Sequence, residues 1–345
     1  MKQQLYSDGL PSQVFTLTNQ QGSSIAVMDI GATWLSCKIQ LRNELREVLL
    51  GVDSMHKHLS QQAYLGATIG RYANRIKHGK FSINDQEYQT ETNQAGNTLH
   101  GGVEGFDKRR WQLTEQRENK ITFSLTSKNG DQGFPGNLKV SVSYSFSEQN
   151  EVSIEYFGKI DQACPVNLTN HAYFNLIGAD KGGDCLTHHL QINAEYYLPS
   201  DDSGIPLGHL KSVVGSSFDF VNGKRIQQGF LSEAQQTRHA GYDHSFLIRD
   251  ECRGSCAIAA TLTAPDQSLQ LHVKTTKPAL HLYTGNFLQG TPSRRLNPYK
   301  NHAGIALETH YFPDSPNHLQ WAQHSPLLQP HQTYHSISSY CFTTL

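Results

Sequence analysis

Hydrophobic and polar residues alternate along this chain with a period of two. In ITFSLT, Ile121, Phe123 and Leu125 fall on one side and Thr122, Ser124 and Thr126 on the other. VSVSYSF sets Val140, Val142, Tyr144 and Phe146 against three serines, and Val152, Ile154 and Tyr156 resume the pattern after a turn at Glu148, Gln149 and Asn150. Leu269, Leu271 and Val273 repeat it once more. Such alternation predicts strands with one buried face, as antiparallel sheets have. Val14 to Leu17 and Ile25 to Ile30 read as opening strands, and only Met55 to Gln62 suggests a short turn of helix. The 28 glycines, with clustered Asn, Asp, Ser and Pro, supply the turns. No internal repeat, low-complexity tract or linker divides the chain. The pattern predicts an all-β protein, a large antiparallel β-sandwich forming a single domain over 1–345.

Composition narrows the function classes. With 345 residues, 37% hydrophobic and 17% charged, the chain is long enough to bury a large core. A formal net charge of -1 gives no electrostatic footprint for nucleic acid or an anionic membrane. Arg109–Arg110 and Arg294–Arg295 are the only arginine doublets, and they read as a solvated or locally paired face. The start of the chain shows no apolar run suited to a signal peptide, and no later stretch approaches the roughly 18 apolar residues of a membrane span. Six cysteines are scattered, and the Cys252–Cys256 spacing matches neither a zinc knuckle nor a redox pair. Reduced thiols in a cytoplasmic protein are the expectation.

The richest chemistry lies in LTNHAYFNL. His171 sits there among Asn167, Thr169, Asn170, Tyr173 and Asn175. Histidine is the side chain that exchanges protons near neutral pH. Asn and Tyr beside it are expected to fix its tautomer and to present hydroxyl-binding groups, a mixture suited to an uncharged polyhydroxylated ligand. The bland alternative is a satisfied core histidine. Four further segments bear on the choice. GATIGRYANRI carries Arg71, Asn74 and Arg75 but lacks nucleotide-loop spacing; its arginine forks suit vicinal hydroxyls, or one of them pairs with a core carboxylate. In NTLHGG, Gly101 and Gly102 are expected to let a ligand approach His100 closely, although an ordinary loop histidine would look the same. Asp243 in GYDHSFL could accept bonds from sugar hydroxyls or cap a turn. Glu308 follows the apolar run Ile305 to Leu307, where a carboxylate is costly unless paired or used. A zinc site built from His100, His171, Asp243 and Glu308 has no ligand spacing behind it. A glycosidase pair of Asp243 and Glu308 leaves two histidines without work.

In this order the segments resemble the galactose mutarotase (aldose 1-epimerase) family in its bacterial form, from about Gly31 to the end. The resemblance rests on GATIGRYANRI, LHGG, GFDKRRW, GDQGFPGNL, CPVNLTNHAYFNL, YLPSDDSGIP, GYDHSF, YTGNF and LETHYFPDSPNH. It implies the family's sandwich (a galactose mutarotase-like supersandwich) with His171 as general acid and Glu308 as general base. Asn74, Arg75, His100, Tyr173 and Asp243 would bind and orient the sugar. One position departs: where many members carry Gln, this chain has His281, so its substrate contact is open. The implied reaction interconverts α and β anomers of D-galactose and D-glucose. It proceeds by ring opening, rotation about C1–C2 and reclosure, without cofactor or metal. Glu308 would be ionised at an ordinary pKa and His171 protonated at the start. The implied assembly is a monomer or weak homodimer. Alternatives on the same fold are a hexose-6-phosphate 1-epimerase, which needs a basic cluster, and a non-catalytic sugar-binding module, which needs neither acid nor base.

Overall fold

The computed structural model describes residues 4–254, 257–318, 320–321 and 325–345. Met1 to Gln3 and Cys256, on which the leader and cysteine-spacing readings partly rest, lie outside the described residues. The other five cysteines are free thiols. Among the described residues no helix is long and apolar enough to cross a membrane.

The alternating segments form three antiparallel sheets of note. A nine-stranded sheet runs in the order Gln112–Arg117, Lys120–Ser127, Leu138–Phe146, Glu151–Ile160, Tyr334–Thr344, Leu269–Thr275, Ala260–Thr263, His189–Ile192, Lys224–Arg225. Its register sets Phe123 opposite Val142 and Val142 opposite Tyr156, so the apolar parity read in each strand sums into one continuous inner face. A four-stranded sheet holds the opening strands Val14–Thr18 and Ser24–Met28. A six-stranded sheet carries Tyr173, Asp243, His281 and Glu308. Its order is Tyr173–Phe174, Ile305–His310, Ala279–Tyr283, Asp243–Ile248, Ala194–Leu198, Lys211–Ser212. The inner faces meet in one core, where Val142, Tyr144 and Ile154 join Phe246, Leu280, Leu282 and Leu307. The predicted turn of helix is Met55–Ser60, capped by Ser54, whose Oγ accepts from the Lys57 amide at 3.3 Å. It stops two residues short of Gln62 because Gln61 is already extended, with φ −87° and ψ 148°. A second short helix, Ala234–Arg238, carries no periodicity long enough to be read from sequence.

Candidate active site

Parity decides which side chains of the six-stranded sheet reach the cleft. Across three neighbouring strands Ser245 pairs with His281 and His281 with Glu308. One step along, Asp243 pairs with Tyr283, Tyr283 with Ala306 and Ala306 with Tyr173. Residues directly opposite share a face, as do residues two apart on one strand. Asp243, His281, Tyr173 and Glu308 therefore project together. Phe246, Leu280, Leu282 and Leu307 occupy the other parity and enter the core. Glu308 emerges from a buried strand because its neighbours in sequence are needed on the opposite side.

The remaining groups arrive on loops. His171 is pinned through its backbone, its N–H donating to Ala67 and its C=O accepting from Gly66, both at 2.9 Å. Asn74 and His100 are tied twice, by the Asn74 amide to His100 Nδ1 (3.2 Å) and by the His100 amide to the Asn74 carbonyl (3.1 Å). With Nδ1 accepting, Nε2 is the nitrogen that carries the proton. Asn74 Oδ1 accepts from the Arg75 amide at 2.9 Å, leaving its NH₂ for a ligand. Arg75 donates through Nε to Gln94 (2.8 Å), and its Nη2 stands 3.6 Å from Asp243 Oδ2. Gly204, at φ +78°, lets the guanidinium lie against its backbone; a Cβ there would sit 2.6 Å from Arg75 Cζ. YLPSDDSGIP thus acts as a rest for Arg75.

All eight residues singled out from the sequence line one cleft of about 720 Å³: Asn74, Arg75, His100, His171, Tyr173, Asp243, His281 and Glu308. Tyr64, Gln94, Asp107, Tyr283 and Phe287 line it too and were missed. Tyr64 packs edge-on to the His100 ring (centroids 4.6 Å) and over that of His171 (5.8 Å). It occupies a left-handed backbone conformation, φ 55°, that no sequence pattern announces. Tyr283 was within reach, since YTGNF is among the quoted motifs.

At the floor, His171 Nε2 faces Glu308 Oε1 at 3.5 Å. Glu308 Oε2 and His171 Nδ1 have no protein partner and are buried. Burial drives both groups toward their neutral forms. It pulls His171 down to about 3, and it pushes Glu308 well above the carboxylate range, helped by the negative charge of Asp243. Burial would raise Asp243 as well, but Arg75 and His281 outweigh it and hold that carboxyl ionised, well below the ordinary range. Desolvation, then His171 and Arg75, keep His100 neutral.

Several expectations are corrected. Glu308 does not keep an ordinary pKa, and burial works against an imidazolium at His171. The asparagines around His171 serve the scaffold. Asn167 donates to the Ala73 carbonyl (3.1 Å), Asn170 to Gly66 (2.7 Å) and Asn175 to Ala303 (2.9 Å), and none fixes the His171 tautomer. The glycine after His100 admits protein, since a Cβ on Gly101 would collide with the Gly70 carbonyl. Of the two arginines, Arg75 is the one that pairs with a carboxylate, Asp243, and among the described residues Arg71 pairs with none. It is buried among carbonyls, donating to Pro135 (2.7 Å), Gly136 (3.0 Å) and Ser127 (3.1 Å). Among the described residues no three His, Cys, Asp or Glu side chains gather in a way that could hold a metal ion.

A sandwich whose sheet face sets a buried histidine–carboxylate pair inside a cleft of hydrogen-bonding groups has the make-up of a site for an uncharged polyhydroxylated ligand. The aldose 1-epimerase family model matches residues 13–341, and the chain belongs to that family. It is 47% identical over 339 residues to the aldose 1-epimerase of Escherichia coli K12, covering 98% of this chain and 97% of that one. Identity to the Homo sapiens galactose mutarotase is 34%, covering 92% and 91%. Among solved structures, galactose 1-epimerase from Lactobacillus acidophilus superposes with a TM-score of 0.85 at 27% identity, covering 99% of this chain and 97% of that one.

Proposed function

We propose that this enzyme interconverts the α and β anomers of D-galactose and D-glucose, with Glu308 as general base and His171 as general acid. The observation that carries the reading is the buried pair itself: an unpartnered carboxylate oxygen and a histidine 3.5 Å away on the cleft floor. Glu308 removes the proton from the anomeric hydroxyl while His171 protonates the ring oxygen, and the hemiacetal opens to the aldehyde. Rotation about C1–C2 presents the other carbonyl face. Reversal of both transfers closes the ring and returns each proton to its donor. The raised Glu308 pKa makes its carboxylate a better base, and the lowered His171 pKa makes its imidazolium a better acid. Asp243, Arg75, His100, Asn74 and Tyr173 hold the ring hydroxyls.

Asp243 is unsuited to glycosidase work as an acid, because Arg75 and His281 keep it ionised. A phosphorylated substrate would need free arginines at the cleft, yet none of the four doublet arginines lines it. Arg109 is paired with Asp131, Arg110 with Asp8 and Asp29, Arg294 donates to Leu49 and Leu35, and Arg295 is exposed. The proposal takes the chain as one domain over 1–345, acting in the cytoplasm as a monomer or weak homodimer without a cofactor. Polarimetry on freshly dissolved α-D-galactose tests it: wild type should speed equilibration and Glu308→Gln should not. A Glu308→Gln variant as fast as wild type would end the assignment.

A further inference from the structure

His281 lies on the row that joins Ser245 to Glu308, and both its nitrogens are engaged. Nε2 is 2.7 Å from Asp243 Oδ1, and Nδ1 is 2.9 Å from Ser245 Oγ. The ring spans two residues of the same strand, Asp243 and Ser245, which point the same way because they are two apart. A carboxylate can only accept, so Nε2 carries a proton, and in the neutral ring the serine hydroxyl donates to the bare Nδ1. His310, two residues beyond Glu308, packs its ring 5.4 Å from that of His281 and limits its swing. Ser245 itself is 2% exposed and does not line the cleft.

We infer that Ser245 is a positioning residue for sugar binding: it holds the ring of His281 from the Nδ1 side, so that Nε2 clamps Oδ1 of Asp243 and leaves Oδ2, beside Arg75, to accept a substrate hydroxyl. The inference rests on the reading of Asp243 as a sugar ligand. Without the serine hydroxyl, Nδ1 has no other hydrogen-bond partner among the described residues, and the ring is free to tilt against His310. The bond to Asp243 then loosens, and that carboxylate rests more on Arg75, whose guanidinium is 3.6 Å away. The chemical pair, Glu308 and His171, is left in place. The effect therefore falls on binding more than on turnover.

The test is a cycle of Ser245→Ala and His281→Gln, read by steady-state mutarotation of α-D-galactose. In the wild-type background, Ser245→Ala should raise KM about fivefold, the effect of one ordinary hydrogen bond of about 1 kcal/mol, with kcat changed less than twofold. A glutamine side chain carries no ring nitrogen for Ser245 to hold, so in the His281→Gln background Ser245→Ala should change KM less than twofold. An equal loss in both backgrounds would mean packing alone and would overturn the inference, as would an unchanged KM in wild type. Imidazole ¹⁵N NMR of the wild-type protein supplies an arm independent of activity and of the variant's folding. It should show His281 protonated on Nε2 and bare at Nδ1; a proton resident on Nδ1 overturns the inference. A wild type with normal His281 signals and no mutarotation would instead sink the functional reading.

Discussion

At the scale of single residues, the roles proposed for His171 and Glu308 make that pair set the pH behaviour. One proton on Glu308 and one on His171 are states of equal proton count, so pH cannot choose between them, and the pair titrates as a unit. Activity needs the singly protonated pair. Its second proton is added at the depressed His171 value of about 3, and its last is lost at the raised Glu308 value. A histidine acid at its ordinary value would gain activity as pH falls through about 6.5, whereas here kcat/KM should hold steady from pH 7 to 5. A rise or a decline centred near about 6.5 would refute this. Glu308→Gln should lower kcat by about 10²–10⁴ while leaving the affinity for galactose, measured by calorimetry, within severalfold. His171 and Glu308 were legible as residue types out of place, a histidine among amides and a carboxylate in an apolar run. The roles of Asn167, Asn170 and Asn175 were not. An amide that closes a backbone gap and one that greets a ligand look alike until their partners are known.

At the scale of elements, strand parity was readable and strand neighbourhood was not. Alternation foretold that Ile121, Phe123 and Leu125 share a face, as do Val140, Val142 and Tyr144. That His281 lies between Ser245 and Glu308 depends on pairings across many intervening residues, which period-two patterns do not encode. The same limit hid His188, whose Nε2 accepts from the Leu176 amide at 2.9 Å while Nδ1 meets the Cys185 carbonyl at 3.1 Å. Burial pulls His188 down to about 4. A depressed histidine contributes stability that is complete above its unfolded value near 6.5 and is lost as pH falls toward 4, up to about 3 kcal/mol. Thermal melts should therefore show a drop in Tm from pH 7 to pH 5. His188→Gln, whose amide oxygen still accepts from Leu176, should show a smaller one. Equal drops in both proteins would remove His188 as the cause.

For the whole molecule, a net charge of -1 and an uncharged substrate leave little for long-range fields to do. Raising salt from about 0.05 to 0.5 M, which shortens the screening length severalfold, should change kcat/KM less than ~2-fold. A steep fall would point to a charged substrate and revive the phosphosugar alternative. The β-rich class was legible because antiparallel strands with one wet face write their burial into every second residue. The cleft was less so, since Tyr64, Gln94 and Phe287 come from loops without periodicity.

The two-sided strand Ile305–His310 has a consequence for how such an enzyme can change over generations. A single-residue insertion or deletion inside it would exchange Glu308 for an aliphatic neighbour and drive a carboxylate into the core, so its length is frozen. The rim segments around Gln61 and Phe287 carry no such parity and can lengthen or shorten with less cost. Variation in which sugars are accepted is therefore expected to accumulate at the rim while the catalytic floor stays fixed, and loop grafting is the natural route to a new specificity.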